Sequence, residues 1–73
     1  MSPERLREVR KAREWTVNDM AEALMLSPAH GGRKVRRWEL GELDISGPAC
    51  VAIEAFSSGF TPEHMKEENE GAE

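Results

Sequence analysis

The sequence is poor in the features that usually reinforce a very small fold. Cys50 is the only cysteine, so no disulfide can form within the chain. Cys50, His30 and His64 lack the spacing of zinc ligands, so we expect no metal and no other cofactor. At 73 residues, without either kind of reinforcement, the chain is expected to form one marginally stable domain. A second copy, in a homodimer, could supply additional burial.

The sequence also has no long apolar run, because Lys, Arg, Asp and Glu recur throughout. No segment is therefore long enough for a membrane span or a signal peptide. Neither a nucleophile paired with a base nor a phosphate-binding loop is visible. We therefore expect a soluble cytoplasmic protein that is not an enzyme, with no membrane contact and no small-molecule substrate.

What the chain does have is an uneven distribution of charge, although the net charge is −4. Residues 1–40 hold nine Lys or Arg against six Asp or Glu, a net of +3. Residues 41–73 hold one lysine against eight acids, a net of −7. Four positive charges fall within Arg33–Arg37, where only Val35 interrupts them. The first part is therefore the candidate for binding a polyanion.

Capping signals predict the first two helices. Ser2 and Pro3 are typical of a helix start, so the first helix begins there. Thr16 followed by Asp19 is a variant capping box, and apolar residues then recur at helical spacing over about residues 17–25. The side chains expected to face the core are Val17, Met20, Ala21, Leu24 and Met25. Trp15, just before the cap, is expected to pack with them.

Turn residues delimit two further helices. The segment LSPAHGG interrupts the pattern, and a third helix is predicted over about residues 32–40. Val35 and Trp38 are its inward pair, and Gly41 ends it in a left-handed conformation. A fourth helix begins at Pro48, and Gly59 closes it. Its expected inward face is Ala49, Ala52, Ile53 and Phe56. With no alternating strand pattern, the prediction is an all-α fold of four to five short helices.

A short helix with outward Arg and Lys suits the major groove of double-stranded DNA. The groove is about 12 Å wide and admits one α-helix. Its flanking phosphates attract positive charge regardless of sequence, and arginine can make a bidentate contact to guanine. With Val35 and Trp38 holding the third helix from behind, residues 33–37 would project into the groove.

Several segments resemble the Cro/repressor-type (Xre-like) helix-turn-helix regulators of phage and bacteria. The segment 16–24 is similar to the first motif helix of that family, and Leu26–Ser27 follow it. Residues 35–41, VRRWELG, resemble the end of its recognition helix, and residues 45–48 resemble its proline-started fourth helix. The resemblance covers about residues 3–60. It implies a lambda-repressor-like domain that binds DNA as a transcriptional regulator, most often a repressor, in a bacterial cell or phage-infected host. It also implies two-fold DNA sites bound by dimers.

Two departures from the family pattern affect the predicted interface. The stretch before Trp38 is longer by a segment such as Pro28–Gly31, so either the turn is longer or a short extra turn precedes the recognition helix. Val17 stands where the family often has a glutamine that contacts phosphate, and Asn18 or Thr16 could take over that contact. The predicted DNA-binding residues are Thr16, Asn18, Ser27, His30, Gly32, Arg33, Lys34, Arg36 and Arg37.

Some of these residues allow another interpretation. The basic cluster could be a solvated helix face, and Gly31–Gly32 could belong to a flexible loop rather than approach a phosphate. Positive residues over 10–13 are interpreted as ordinary surface charge, or less often as phosphate contacts. The domain is expected over residues 1–60, with residues 61–73 as an acidic, flexible tail. The acidic part also leaves open a protein-interaction module on the same fold, such as an antitoxin or inhibitor.

Overall fold

The computed structural model describes residues 1–65, which form four helices in this part of the chain. These are α1 (Pro3–Ala12), α2 (Val17–Ala23), α3 (Gly31–Glu39) and α4 (Gly47–Ser57). A single helical turn follows at residues 63–65, and no strand occurs among the described residues. The predicted all-α fold is confirmed. The disorder expected after Lys66 lies outside the described residues.

The first two helices begin where the capping signals predict, and α4 begins at Gly47, one residue before the predicted Pro48. The Ser2 hydroxyl accepts a hydrogen bond from the Arg5 amide at 3.1 Å. The Thr16 hydroxyl and the Asp19 carboxylate each accept the other residue's backbone N–H at 3.0 Å, which completes the predicted capping box. Before α4, the Ser46 hydroxyl accepts from the Ala49 amide at 3.4 Å. Local chemistry therefore determines these starts.

The ends of the helices are less uniform. Gly41 and Gly59 have φ of +77° and +102°, the left-handed conformation expected after α3 and α4. The predicted end of α2 at residue 25 was wrong, because the helix stops at Ala23 and Met25 itself takes φ +59°. Met25 is 79% exposed, so its expected place in the core was also wrong. The left-handed residue turns the chain away from the α2 axis and begins the connection to α3.

All four helices contribute to one core. The helix α3 packs against α2 and α1, and α1 packs against α4. Trp38 and Phe56 are the largest buried side chains of this core. The ring of Trp15 packs edge-on against the ring of Phe56, with 5.4 Å between the ring centroids. The buried apolar residues are Leu6, Val9, Met20, Ala21, Ala23, Val35, Trp38, Ala49, Ile53 and Phe56. The predicted inward faces of α3 and α4 are therefore confirmed, with Ala52 only half-buried.

Two arginines of α1 connect this helix to α3. The guanidinium of Arg10 forms two hydrogen bonds with the Glu39 carboxylate, Nε–Oε2 at 2.6 Å and Nη2–Oε1 at 3.1 Å. These hydrogen bonds raise the pKa of Arg10 above its ordinary value. Arg7 donates to the Glu39 backbone carbonyl at 2.8 Å. Glu39 is thus a buried carboxylate whose charge is matched from another helix.

Arg5 of α1 and Arg13, the residue that caps the end of α1, reach towards α4 and the residues after it. Arg13 donates to the carbonyls of Phe56 at 2.9 Å and Phe60 at 2.8 Å, and its guanidinium lies 4.6 Å from the Trp15 ring centroid. Arg5 donates to Glu54 and to Ser57. The interpretation of Arg10 and Arg13 as ordinary surface charge was wrong, because both side chains join elements that are distant in sequence.

The packed part of the chain continues past the expected domain boundary at residue 60. Pro62 is buried, and Met65 packs against the core. Thr61 accepts a hydrogen bond from Arg13 at 2.5 Å, and the ring Nε2 of His64 lies 2.8 Å from the Glu22 carbonyl. Residues 61–65 therefore belong to the folded domain.

Within the described residues, no helix has both the length and the apolar character needed to cross a membrane.

Candidate nucleic-acid interface

The helix α3 has two faces of opposite character. Gly31, Val35 and Trp38 are buried, with Trp38 only 1% exposed. These positions recur at intervals of three and four residues, so they lie on one side of the helix. The opposite side carries four exposed cationic residues, here called the basic face: Arg33, Lys34, Arg36 and Arg37. The predicted helix over 32–40 is thus observed one residue earlier, over Gly31–Glu39.

The side chains of the basic face project by different amounts. At 100° per residue, Arg33 points most directly away from the inward pair Val35 and Trp38. Arg36 and Arg37 lie on either side of it, and Lys34 lies nearest the core edge, where its Nζ is 5.7 Å from the Trp38 ring centroid. Arg33 is therefore the central side chain of the basic face.

Few acidic groups neutralise the basic face within residues 1–65. Arg37 Nε lies 3.5 Å from Glu42 Oε1, and the two side chains are 51% and 55% exposed. Such an exposed pair is worth little, about 0–1 kcal/mol. Arg33 and Arg36 form no ion pair and no side-chain hydrogen bond in the described part of the chain. Glu39, although adjacent in sequence, faces Arg10 instead. With respect to residues 1–65, most of the charge of the basic face is therefore available.

The first turn of α3 lies very close to α2. A Cβ built on Gly31 would lie 2.8 Å from Leu26 Cβ and 2.9 Å from Ala21 Cβ. A Cβ on Gly32 would collide with the side chain of Asn18. Both glycines lie within α3, so of the alternatives left open by the sequence a loop at these two residues was wrong. Their small size lets α3 approach the beginning of α2.

A compact turn connects α2 to α3. The carbonyl of Ser27 accepts hydrogen bonds from His30 N at 3.2 Å and from Gly31 N at 2.6 Å. Of the two predicted alternatives, the structure has the short extra turn before the recognition helix. Ser27 and His30 are both exposed on this turn, and the His30 side chain makes no capping hydrogen bond to α3.

The predicted site residues fall into two groups around α3. Ser27, His30, Arg33, Lys34 and Arg37 line a cavity of about 360 Å³ on one flank. Asn18, Ser27 and Gly32 line a second cavity of about 560 Å³ on the other flank. Thr16 and Arg36 line neither cavity, and the Thr16 hydroxyl serves as the cap of α2.

Several residues that line these two cavities were not predicted from the sequence, among them two leucines and a histidine. Leu26 and Leu43 line the first cavity, and His64 lines the second. Leu43 lies in the loop after α3, where an apolar residue among polar neighbours was the only available signal. His64 had no signal, because its position depends on how residues 61–65 pack against α2.

No group of three or more His, Cys, Asp or Glu in the described chain could hold a metal ion.

Comparison with known proteins gives no match to any family model, any curated protein or any solved structure. The function is therefore inferred from the geometry and charge of the site.

Proposed function

We propose that this chain binds double-stranded DNA by inserting α3 into the major groove. The observation that carries the proposal is the two-sided character of α3, buried along Val35 and Trp38 and cationic along the basic face. A helix about 10–12 Å across fits a groove about 12 Å wide, where the phosphates attract this charge.

The arrangement of α2 and α3 supports a helix-turn-helix mode of binding. In that mode the second helix lies in the groove while the first crosses the DNA backbone. Here α2 begins beside the first turn of α3, and Asn18 is exposed next to Gly32. We assign Asn18, Ser27 and His30 to phosphate contacts, with the first backbone N–H groups of α3 assisting.

The outward direction of each side chain suggests its role. Arg33 points farthest from the core and is the candidate for a bidentate contact to guanine. Arg36 and Arg37, on either side of it, are candidates for phosphate contacts that position the helix. The biological role that fits these contacts and the resemblance is that of a small transcriptional regulator, most simply a repressor that occupies its site. Two copies would read a two-fold site with half-sites about 34 Å apart.

Selection from a random DNA library, followed by fluorescence anisotropy on the enriched site, tests the proposal. Arg33→Gln should weaken binding about tenfold or more and relax the preference at one base pair. Arg36→Gln should weaken binding to all sequences. Lys11→Gln is the matched control, because it removes one exposed positive charge from α1 and should leave affinity nearly unchanged.

The outcome that would remove the proposal is a purified protein that enriches no site and whose affinity for DNA is unaffected by the two arginine substitutions together. A palindromic enriched site would indicate two copies of the chain. The alternative, a protein-interaction module that uses the acidic part of the chain, would gain support if carboxylates neutralised the basic face. Residues 1–65 provide one such contact, from Glu42, so DNA binding is favoured.

A further inference from the structure

A cavity on one flank of α3 combines apolar surface with positive charge. It has a volume of about 360 Å³, at the lower end of the range of small-molecule sites, roughly 300–1,000 Å³. Leu26 lies just after α2, in the connection between α2 and α3, and Leu43 lies in the loop after α3. Between them lie three cationic side chains of the basic face and the exposed imidazole of His30. The lining residues are Leu26, Ser27, His30, Gly31, Arg33, Lys34, Arg37 and Leu43.

The lining selects for one kind of ligand. Among residues 1–65, no carboxylate lines the cavity, and of its three cations only Arg37 has an ion-pair partner, the exposed Glu42. Leu43 is 37% exposed, and the stems of Lys34 and Arg37 add aliphatic surface beside it. A free inorganic anion would leave the leucines in water, whereas a neutral apolar molecule would partly desolvate the cations without pairing them. A molecule with an anionic head and an aliphatic chain pairs with the cationic side chains and also covers the two leucines.

Arg37 already has a weak carboxylate partner, Glu42, which lies outside the cavity. The Nε of Arg37 lies 3.5 Å from the Glu42 carboxylate, and both side chains are about half exposed. An exposed pair of this kind is weak and exchanges readily with another anion. A ligand carboxylate can therefore take the place of Glu42 without breaking a buried contact.

We propose that this cavity binds an aliphatic carboxylate of medium chain length. The carboxylate lies among Arg37, Lys34 and Arg33, and the chain lies against Leu26 and Leu43. A consequence, which rests on the proposed function, is that the ligand releases DNA, because both use the charges of Arg33 and Arg37. The antagonism is reciprocal, so DNA must weaken ligand binding by the same factor.

Calorimetric titration of the full chain with octanoate, below its micelle concentration and without DNA, tests the site directly. Octanoate should bind. Acetate and 1-octanol should each bind at least about fivefold more weakly, because acetate lacks the long alkyl chain and 1-octanol lacks the negative charge. Octyltrimethylammonium, which has a chain and the opposite charge, should not bind. Absence of octanoate binding, or equal binding of 1-octanol, would overturn the proposal.

Two matched pairs of variants locate the ligand. Arg37→Gln should weaken octanoate binding about fivefold, whereas Arg36→Gln should leave it unchanged, since Arg36 does not line the cavity. Leu43→Asn should weaken it about tenfold, whereas Leu40→Asn, at an exposed leucine outside the cavity, should not. Circular dichroism melts verify that each variant is folded. Equal effects within either pair would place the ligand elsewhere and overturn the site.

The same variants separate this proposal from DNA binding. Arg36→Gln is expected to weaken DNA binding alone, and Arg37→Gln is expected to weaken both. Octanoate should then displace labelled DNA from the unsubstituted protein. Octanoate binding to a chain that binds no DNA would retain the site and refute the proposed function. DNA binding without octanoate binding would retain the proposed function and refute the ligand site.

Discussion

At the scale of single residues, the two glutamates that follow the basic face have very different environments. Glu39 is 7% exposed and is held by two hydrogen bonds from Arg10, whereas Glu42 is largely exposed beside Arg37. Removing one partner from a buried ion pair leaves an unmatched charge in a medium of low dielectric constant, and this is far more costly than loss of an exposed pair. The same substitution at the two positions therefore isolates the effect of burial.

Glu39→Gln is predicted to lower the free energy of unfolding by about 2–3 kcal/mol, because Arg10 would lose its charged partner. The remaining hydrogen bond from Arg10 to the Trp15 carbonyl, at 2.9 Å, keeps the cost below that of complete isolation. Glu42→Gln is predicted to change the free energy of unfolding by less than about 1 kcal/mol. Urea denaturation at low temperature measures both values. Similar losses for the two variants would mean that the ion pair between α1 and α3 does not stabilise the fold.

The sequence predicted the apolar residues of the interface better than the charged ones. Val35 and Trp38 are buried as their spacing indicates, since helical periodicity is a local property. The partners of Arg10 and Arg13 could not be predicted in this way. Apart from the Trp15 carbonyl, their acceptors lie 29 or more residues further along the chain, and nothing in a run of Arg and Lys distinguishes a bridging arginine from a free one.

At the scale of elements, the first turn of α3 depends on glycine. An alanine is normally favoured over glycine in a helix by about 1 kcal/mol. At Gly31 that gain is opposed by the side chains of Ala21 and Leu26, which leave no room for a methyl group. Gly47, the first residue of α4, occupies the same position in its own helix and has no atom within 4 Å of a built Cβ.

Gly31→Ala is therefore predicted to lower the free energy of unfolding by about 1–3 kcal/mol, because α2 and α3 must separate to admit the methyl group. Gly47→Ala is predicted to be neutral or stabilising by up to about 1 kcal/mol. Thermal and urea denaturation followed by circular dichroism compare the two variants. A stable Gly31→Ala variant would contradict the close approach of α2 and α3 on which the position of the basic face depends.

At the scale of the whole molecule, an acidic chain presents positive charge on one element. Arg5, Arg7, Arg10 and Arg13 are engaged in contacts within the fold, so, among residues 1–65, the cations without a buried partner are concentrated on α3. The remainder of the chain is acidic and should repel phosphates. DNA is therefore expected to approach from the side of α3.

This charge distribution predicts a limited dependence of DNA binding on salt. Each neutralised phosphate contributes about 0.9 to the slope of log K against log salt concentration, so the four cations of the basic face allow a slope of at most about −3.6 per copy of the chain. Arg36→Gln should make the slope shallower by about 0.9, and Lys11→Gln should not change it. Anisotropy titrations at several salt concentrations measure these slopes. A clearly steeper slope would require phosphate contacts from cationic residues outside the basic face.

The sequence alone determined the capped starts of α1 and α2, the inward faces of α3 and α4 and the left-handed glycines that end them. These features arise from hydrogen bonds and periodicities among residues a few positions apart. Only the tertiary structure decided which cations remain free, why Glu39 is buried, and how Leu26 and Leu43 meet the basic face. Each of these depends on side chains that folding brings together from distant parts of the chain, and their pairing is set by the packing of the helices rather than by any local preference.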